Sequence, residues 1–256
     1  MIEVRDLEKS FAGRPVLKGV TLTIPEASTT CIIGRSGSGK SVLLKHLVGL
    51  LKPDAGRVIV DGAPLDDLSY SDLRRVRRKF GVLFQGGALF DSMTAIENVE
   101  FPLHTFTDLN AREARRRALE CLELGELPDM GKKTPSELSG GQQKRVALAR
   151  AIAIEPAYIL YDEPTSGLAP ETSRTIDELI ERLGRELGTT SVVISHDMHS
   201  VLRIADHVAF LHEGQMHWSG SVDDLHAATD PTLLRFVRAN EYQIGNPSRT
   251  AGAASS

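Results

Sequence analysis

Eight consecutive residues, Gly34-Arg35-Ser36-Gly37-Ser38-Gly39-Lys40-Ser41, restrict the fold of this chain more than anything else in it. The short apolar, β-rich stretch Ser28 to Ile33 runs into them, and Val42, Leu43, Leu44, Leu47 and Val48 follow at helical spacing. Strand, glycine-rich loop and helix, in that order, make a phosphate cradle. Glycines let the backbone curl until several N–H groups point inward, and the new helix turns its positive end on the same cavity. Lys40 supplies a mobile point charge for the β- and γ-phosphates of a nucleotide, and the Ser41 hydroxyl can join the coordination shell of Mg²⁺. This is the Walker A pattern with the flanks it requires, and it predicts an α/β fold that binds ATP.

A second constraint lies downstream. Tyr158-Ile159-Leu160-Tyr161 is apolar, too short for a typical helix, and ends in Asp162-Glu163-Pro164, as a buried parallel strand with acids at its C-terminal edge does. Open α/β sheets bind ligands at that edge, so Asp162 and Glu163 are expected to face the phosphate loop. There Asp162 holds Mg²⁺ through water and Glu163 polarises the attacking water as general base. Between the two motifs stands Leu138-Ser139-Gly140-Gly141-Gln142, ahead of the helical run Lys144 to Ala153. Read from its residues alone, Ser139 is either an ordinary N-cap or a hydroxyl offered to an anion at a helix start.

These three motifs in this order resemble the nucleotide-binding subunit of an ABC transporter, over roughly the first nine-tenths of the chain. The resemblance implies an ABC-type P-loop NTPase: a RecA-like core, an antiparallel β lobe and an inserted helical subdomain at about 87–150, all within residues 1–230, with 231–256 as a C-terminal extension. It also implies a homodimer in which Ser139, Gly140, Gly141 and Gln142 of one copy close on the γ-phosphate held by Gly34 to Ser41 of the other. Phe11 matches the aromatic that stacks on adenine, although such a Phe equally serves packing. Gln85, after the strand-like Phe80 to Phe84, matches the glutamine that touches Mg²⁺ or the water and moves with the permease. His196, after Ser191 to Ser195, matches the switch histidine that contacts the γ-phosphate, where it and Lys40 stabilise developing charge. One position departs from the pattern: Ala169 stands where most relatives carry an Asp that couples the two sites, and its side chain accepts no hydrogen bond.

Ile2 to Val4, Val20 to Ile24 and Arg57 to Val60 alternate as half-exposed strands do, which predicts the antiparallel lobe near the adenine. Helical pattern dominates from Gly86 to about Arg150, clearest over Ala111 to Leu124 and Gln142 to Ile154, and strands return near Ala157, Thr190 and His207. Leu233 to Val237 is apolar enough to dock, whereas Gly245 to Ser256 has no apolar period and is expected to be mobile. A net charge of -4 carries no nucleic-acid signal. The basic clusters Arg74 to Lys79 and Arg115 to Arg117 read as solvated helix faces, with lipid headgroups or an acidic partner as the alternative. Cys31 and Cys121 form no metal motif and suit a reducing cytosolic setting. No signal peptide is evident and no apolar run approaches the ~20 residues a bilayer span needs, so the membrane-crossing part is expected on another chain.

Gly81 to Thr94, continuing through Glu97-Asn98-Val99 and Phe101-Pro102-Leu103, resembles the Mla/Mce group of lipid-transport ATPases. In this region Ala88, Leu89, Phe90 and Met93 line a groove for the permease's coupling helix, or else pack into the core. That resemblance implies phospholipid or related lipid traffic between the membranes of a double-membraned bacterium. The implied partners are an integral-membrane permease, a periplasmic MCE lipid-binding protein and a small STAS-domain subunit, and the implied location is cytoplasmic, peripheral on the inner membrane through the permease. Leu233 to Asn246 is then a candidate dimer contact. The rivals are the ATPase of another ABC importer, for polar amino acids or other small solutes, and a soluble mechanical clamp. The clamp is disfavoured by a single Walker A, a single Ser-Gly-Gly segment and no sustained heptads.

Overall fold

In the computed structural model, residues 1–240 are described. Strands β1 (Ile2–Phe11) and β2 (Arg14–Ile24) form a hairpin closed by Ala12 and Gly13, both at positive φ as a tight two-residue turn requires. Both strands run further than alternation alone suggested. Polar residues between Val4 and Phe11 face solvent, while an irregularity between Val4 and Leu7 returns Leu7 to the core. β3 (Thr29–Ile33) leads into α1 (Lys40–Leu47). β4 (Ala55–Val60) then pairs with the free edge of β1, and the two-residue β5 (Ala63–Pro64) completes an antiparallel sheet in the order β2-β1-β4-β5.

The chain continues through α2 (Tyr70–Arg77), β6 (Phe80–Leu83), α3 (Ala95–Phe106), α4 (Ala111–Leu124), α5 (Gly140–Ile152) and β7 (Tyr158–Asp162). It closes with α6 (Pro170–Leu187), β8 (Thr190–Ile194), α7 (Met198–Ile204), β9 (His207–His212), β10 (Gln215–Ser221), α8 (Val222–His226) and α9 (Pro231–Ala239). The second sheet has the order β10-β9-β3-β8-β7-β6, parallel throughout except at its β10 edge.

Alternation along these buried strands feeds two cores. Cys31, Ile33, Ile159, Tyr161, Val193 and Phe210 face the core shared with the helices α3 to α7. Ile32, Leu160, Val192, Ile194, Ala209 and Leu211 face the one shared with α1 and the antiparallel lobe. The helical arm is α3, α4 and α5, each opened by a capping box: Thr94 with Glu97, Asn110 with Glu113, Ser139 with Gln142. Ala114 and Ala118 let α4 approach closely, and Cys121 is buried beside them. Burial pushes the Cys121 thiol up to about 11 and raises Cys31 as well, so both free cysteines are chemically quiet.

The basic clusters are only partly solvated faces. Arg77 donates to the carbonyls of Val48 and Gly49 just past α1, and Arg117 to those of Ile152 and Ala153 at the end of α5. Leu233, Phe236 and Val237 of α9 are buried in the same core as the helical arm, so the docking expected of this segment takes place within the chain. The expected mobile tail, Gly245 to Ser256, and the later part of the candidate dimer contact lie outside the described residues.

Candidate nucleotide site

Because β7, β8 and β3 lie side by side, the loops leaving their C-terminal ends converge. The phosphate loop leaves β3 at Gly34, where a Cβ would stand 2.3 Å from the Leu211 carbonyl oxygen, and enters α1 at Gly39, whose φ is 106°. Inside the loop the Ser38 hydroxyl is buried and has no hydrogen-bond partner among protein atoms. A donor left open beside backbone N–H groups matches the oxygens of a polyphosphate. Lys40 is 8% exposed, and its Nζ donates to the carbonyls of Gly34 and Arg35 at 2.7 and 3.1 Å. Burial lowers its pKa while Glu163 and Asp162 oppose the change.

The Ser41 hydroxyl donates to Asp162 Oδ1 at 3.1 Å. These are hard oxygen donors of the kind Mg²⁺ takes together with phosphate, so the residues present fit the ion. Glu163, one residue beyond β7, sits at φ 50° in the left-handed region, a conformation unusual for a side chain of its size. Its N–H donates to the Ile194 carbonyl at 3.0 Å, and its Oε2 lies 2.8 Å from His196 Nδ1. Lys40, Ser41, Gln85, Glu163 and His196 line one open cleft of about 720 Å³, with Val16 from β2 on its wall.

Two expected contributors stand apart from this cleft. Phe11 occupies the end of the β1–β2 hairpin, 43% exposed, with Lys9 Nζ 5.7 Å from its ring centroid, and does not line the cleft among the described residues. Ser139, Gly140, Gly141 and Gln142 do not line it either. In the single copy the N-cap reading of Ser139 holds: its Oγ accepts from the Gln142 N–H at 3.3 Å, and Gln142 Oε1 accepts from the Ser139 N–H at 2.9 Å. Gly141 also has a local reason, since a Cβ would come within 2.4 Å of Thr172 Cγ2 on α6.

Sequence reasoning missed Lys144. It lies in α5, 6% exposed, and its ammonium donates to the Gln85 carbonyl; burial lowers its pKa against the pull of Asp162 and Glu163. Nothing in a run of helix formers marks it. Phe236, Ala239 and Asn240 at the end of α9 also reach the cleft wall, far along the chain from every motif.

Comparison with known proteins bears on the same residues. The profile of the family described as ABC transporter matches residues 17–166, more than half of the chain. The chain belongs to the ABC transporter ATP-binding family. Among its ABC relatives, the methionine import ATP-binding protein MetN of Caulobacter vibrioides is 43% identical over 95% of this chain and 74% of its own length. The intermembrane phospholipid transport system ATP-binding protein MlaF of Escherichia coli K12 is 40% identical over 93% of this chain and 88% of its own length. A solved dimeric ATP-binding cassette in a post-hydrolysis state, bound to ADP and Pi, superposes with a TM-score of 0.79 at 37% identity, covering 87% of this chain and 99% of that one. This ABC cassette is therefore an ATP-hydrolysing subunit of a membrane transporter. No helix among the described residues is long and apolar enough to cross a membrane.

Proposed function

We propose that this cassette drives the movement of phospholipid or a related lipid between the two membranes of a double-membraned bacterium. The observation that carries the reading is the region from Gly81 to Leu103, where the Mla/Mce resemblance lies. Fully buried Asn98 ties it together, accepting from the Phe90 N–H at 2.8 Å and donating to the carbonyls of Phe90, Met93 and Thr94. The Phe90 and Phe101 rings, 4.7 Å apart, stay exposed close to Gln85 in sequence, as an apolar seat for a permease helix. The 40% identity with MlaF supports the same reading. The partners would be a permease, an MCE lipid-binding protein and a STAS-domain subunit, with the cassette peripheral on the inner membrane.

In this reading the phosphate loop and Lys40 hold the triphosphate, while Val16 offers apolar surface to the base. Ser41, Asp162 and Gln85 would hold Mg²⁺, which when bound neutralises phosphate charge. Glu163 takes the proton of the attacking water, and His196, bonded to Glu163, orients it and stabilises charge on the γ-phosphoryl group. Ser139 and Gly141 complete the site of a second copy, their helix N-terminus facing the γ-phosphate across the dimer.

The 43% identity with MetN favours a second reading, import of a small solute such as methionine. Purification of the complex from its native membrane, with mass spectrometry of subunits and bound lipid, separates the two. An MCE-domain protein and phospholipid are expected; a solute-binding protein and methionine-stimulated turnover would replace the lipid reading.

A further inference from the structure

We infer that Asp177 and Arg203 form a positioning pair that fixes His196 against Glu163 by locking helix α6 to helix α7. The inference rests on the roles given above to Glu163 and His196. His196 stands two residues ahead of α7, and the loop after Glu163 enters α6 at Pro170, seven residues on. The placement of α7 on α6 therefore bears on the 2.8 Å contact between Glu163 and His196.

Asp177 on α6 is fully buried, and Arg203 in the last turn of α7 donates from Nη1 to its Oδ2 at 2.8 Å. The other carboxylate oxygen, Oδ1, is buried without a hydrogen-bond partner. Burial pushes Asp177 up to about 6; Ser200 and Arg203 pull it down and Asp197 pushes it further up. A half-satisfied buried charge is a poor source of stability compared with an apolar pair of the same volume. What it supplies is direction, because the guanidinium bond locates α7 on α6 in one orientation.

The near end of α7 is fixed in the same manner. Asp197 caps it, accepting from the His199 N–H at 2.9 Å and from the Ser200 hydroxyl at 3.1 Å, while its own N–H donates to Ser195 Oγ at 3.1 Å. His196 is thus held between two anchored neighbours, two residues ahead of a helix whose far end is tied to α6. Glu163, His196, Asp177, Ser200 and Arg203 all face a second cavity of about 660 Å³, beside the nucleotide cleft. A cavity leaves these side chains room to shift once the pair is broken.

The test is steady-state phosphate release by the full chain in the complex purified from its native membrane, with ATP affinity read from a fluorescent ATP analogue. Asp177→Asn keeps the volume and removes the charge. Its kcat should fall roughly tenfold or more, since sub-ångström misplacement is costly in turnover, while the KM for ATP and analogue affinity stay within about twofold and Tm does not fall. Arg203→Gln should match it, and Arg203→Lys should recover part of the loss. If Asp177→Asn does not fold, Arg203→Gln decides, since that side chain is a third exposed. Wild-type kcat in Arg203→Gln, or a loss that tracks Tm or ATP affinity, overturns the inference. Glu163→Gln, measured alongside, separates the two layers: normal turnover there removes the catalytic reading itself, whereas an inactive Glu163→Gln with a normal Arg203→Gln removes only the positioning pair.

Discussion

Glu163 has a left-handed backbone, as Glu126, Glu155 and Glu213 do, and adds to it a backbone bond to Ile194 and a 2.8 Å contact with His196. Its replacement by Gln keeps shape and removes the base. Glu163→Gln should retain ATP binding, trap a closed dimer visible by size-exclusion chromatography, and lower phosphate release by roughly 10²–10⁴-fold; near-normal turnover would remove Glu163 as the base. Ala169 poses the opposite question. It is the N-cap residue of α6 and supplies no side-chain acceptor, so the first N–H groups of an 18-residue helix lack a side-chain cap there. Ala169→Asp should add about 1 kcal/mol and raise Tm by about 2–4 °C. If this loop couples the two sites of a dimer, Ala169→Asp should also change the Hill coefficient for ATP more than ATP affinity. An unchanged Hill coefficient with a large affinity shift would count against that role.

Among the elements, the segment between β6 and α3 contains no regular structure, yet Asn98 gives it one conformation from inside α3. Asn98→Ala leaves the Phe90 N–H without its partner, at about 1–3 kcal/mol. Amide exchange over residues 88–94 should quicken, and copurification with the permease should weaken while ATP affinity is kept. Unaltered exchange would show that the Phe90–Phe101 ring contact and the guanidinium of Arg150, bonded to Gly87 and Ala88, hold the loop without it. The same economy of long polar side chains recurs in Arg77 and Arg117, which satisfy carbonyls at the ends of helices other than their own. From sequence these arginines were indistinguishable from a solvated face, because the carbonyls they meet are brought near only by packing.

The molecule as a whole presents one cleft that collects Lys40, Ser41, Gln85, Glu163 and His196, and keeps Ser139 to Gln142 out of it. That separation follows from where helix α5 of the arm begins, since its capping residue Ser139 lies off the cleft lining. If a second copy supplies Ser139, the effects of two lesions depend on their distribution. Ser139→Arg in one copy with Lys40→Ala in the other damages a single site twice and should keep the activity of one intact site. Both changes in the same copy damage both sites and should abolish turnover. The reverse result in purified mixed dimers, turnover lost with the changes in different copies and kept with both in one copy, would mean that each copy completes its own site.

What the chain order of residues determined was local chemistry and the layers that present it. The glycine loop between β3 and α1, the acids ending β7 and the histidine after β8 are each legible because a short apolar run followed by polar residues has one reading at a parallel sheet edge. The antiparallel lobe followed from spacing in the same way, apart from the greater length of β1 and β2, where a bulge rather than alternation keeps Leu7 inside. Tertiary structure decided the partners across long sequence separations: Lys144 on the Gln85 carbonyl, Arg203 on Asp177, α9 at the cleft wall, and Phe11 outside it. The physical reason is that a buried charge or an aromatic ring takes its meaning from what surrounds it, and those surroundings exist only once the sheet order has brought distant segments together.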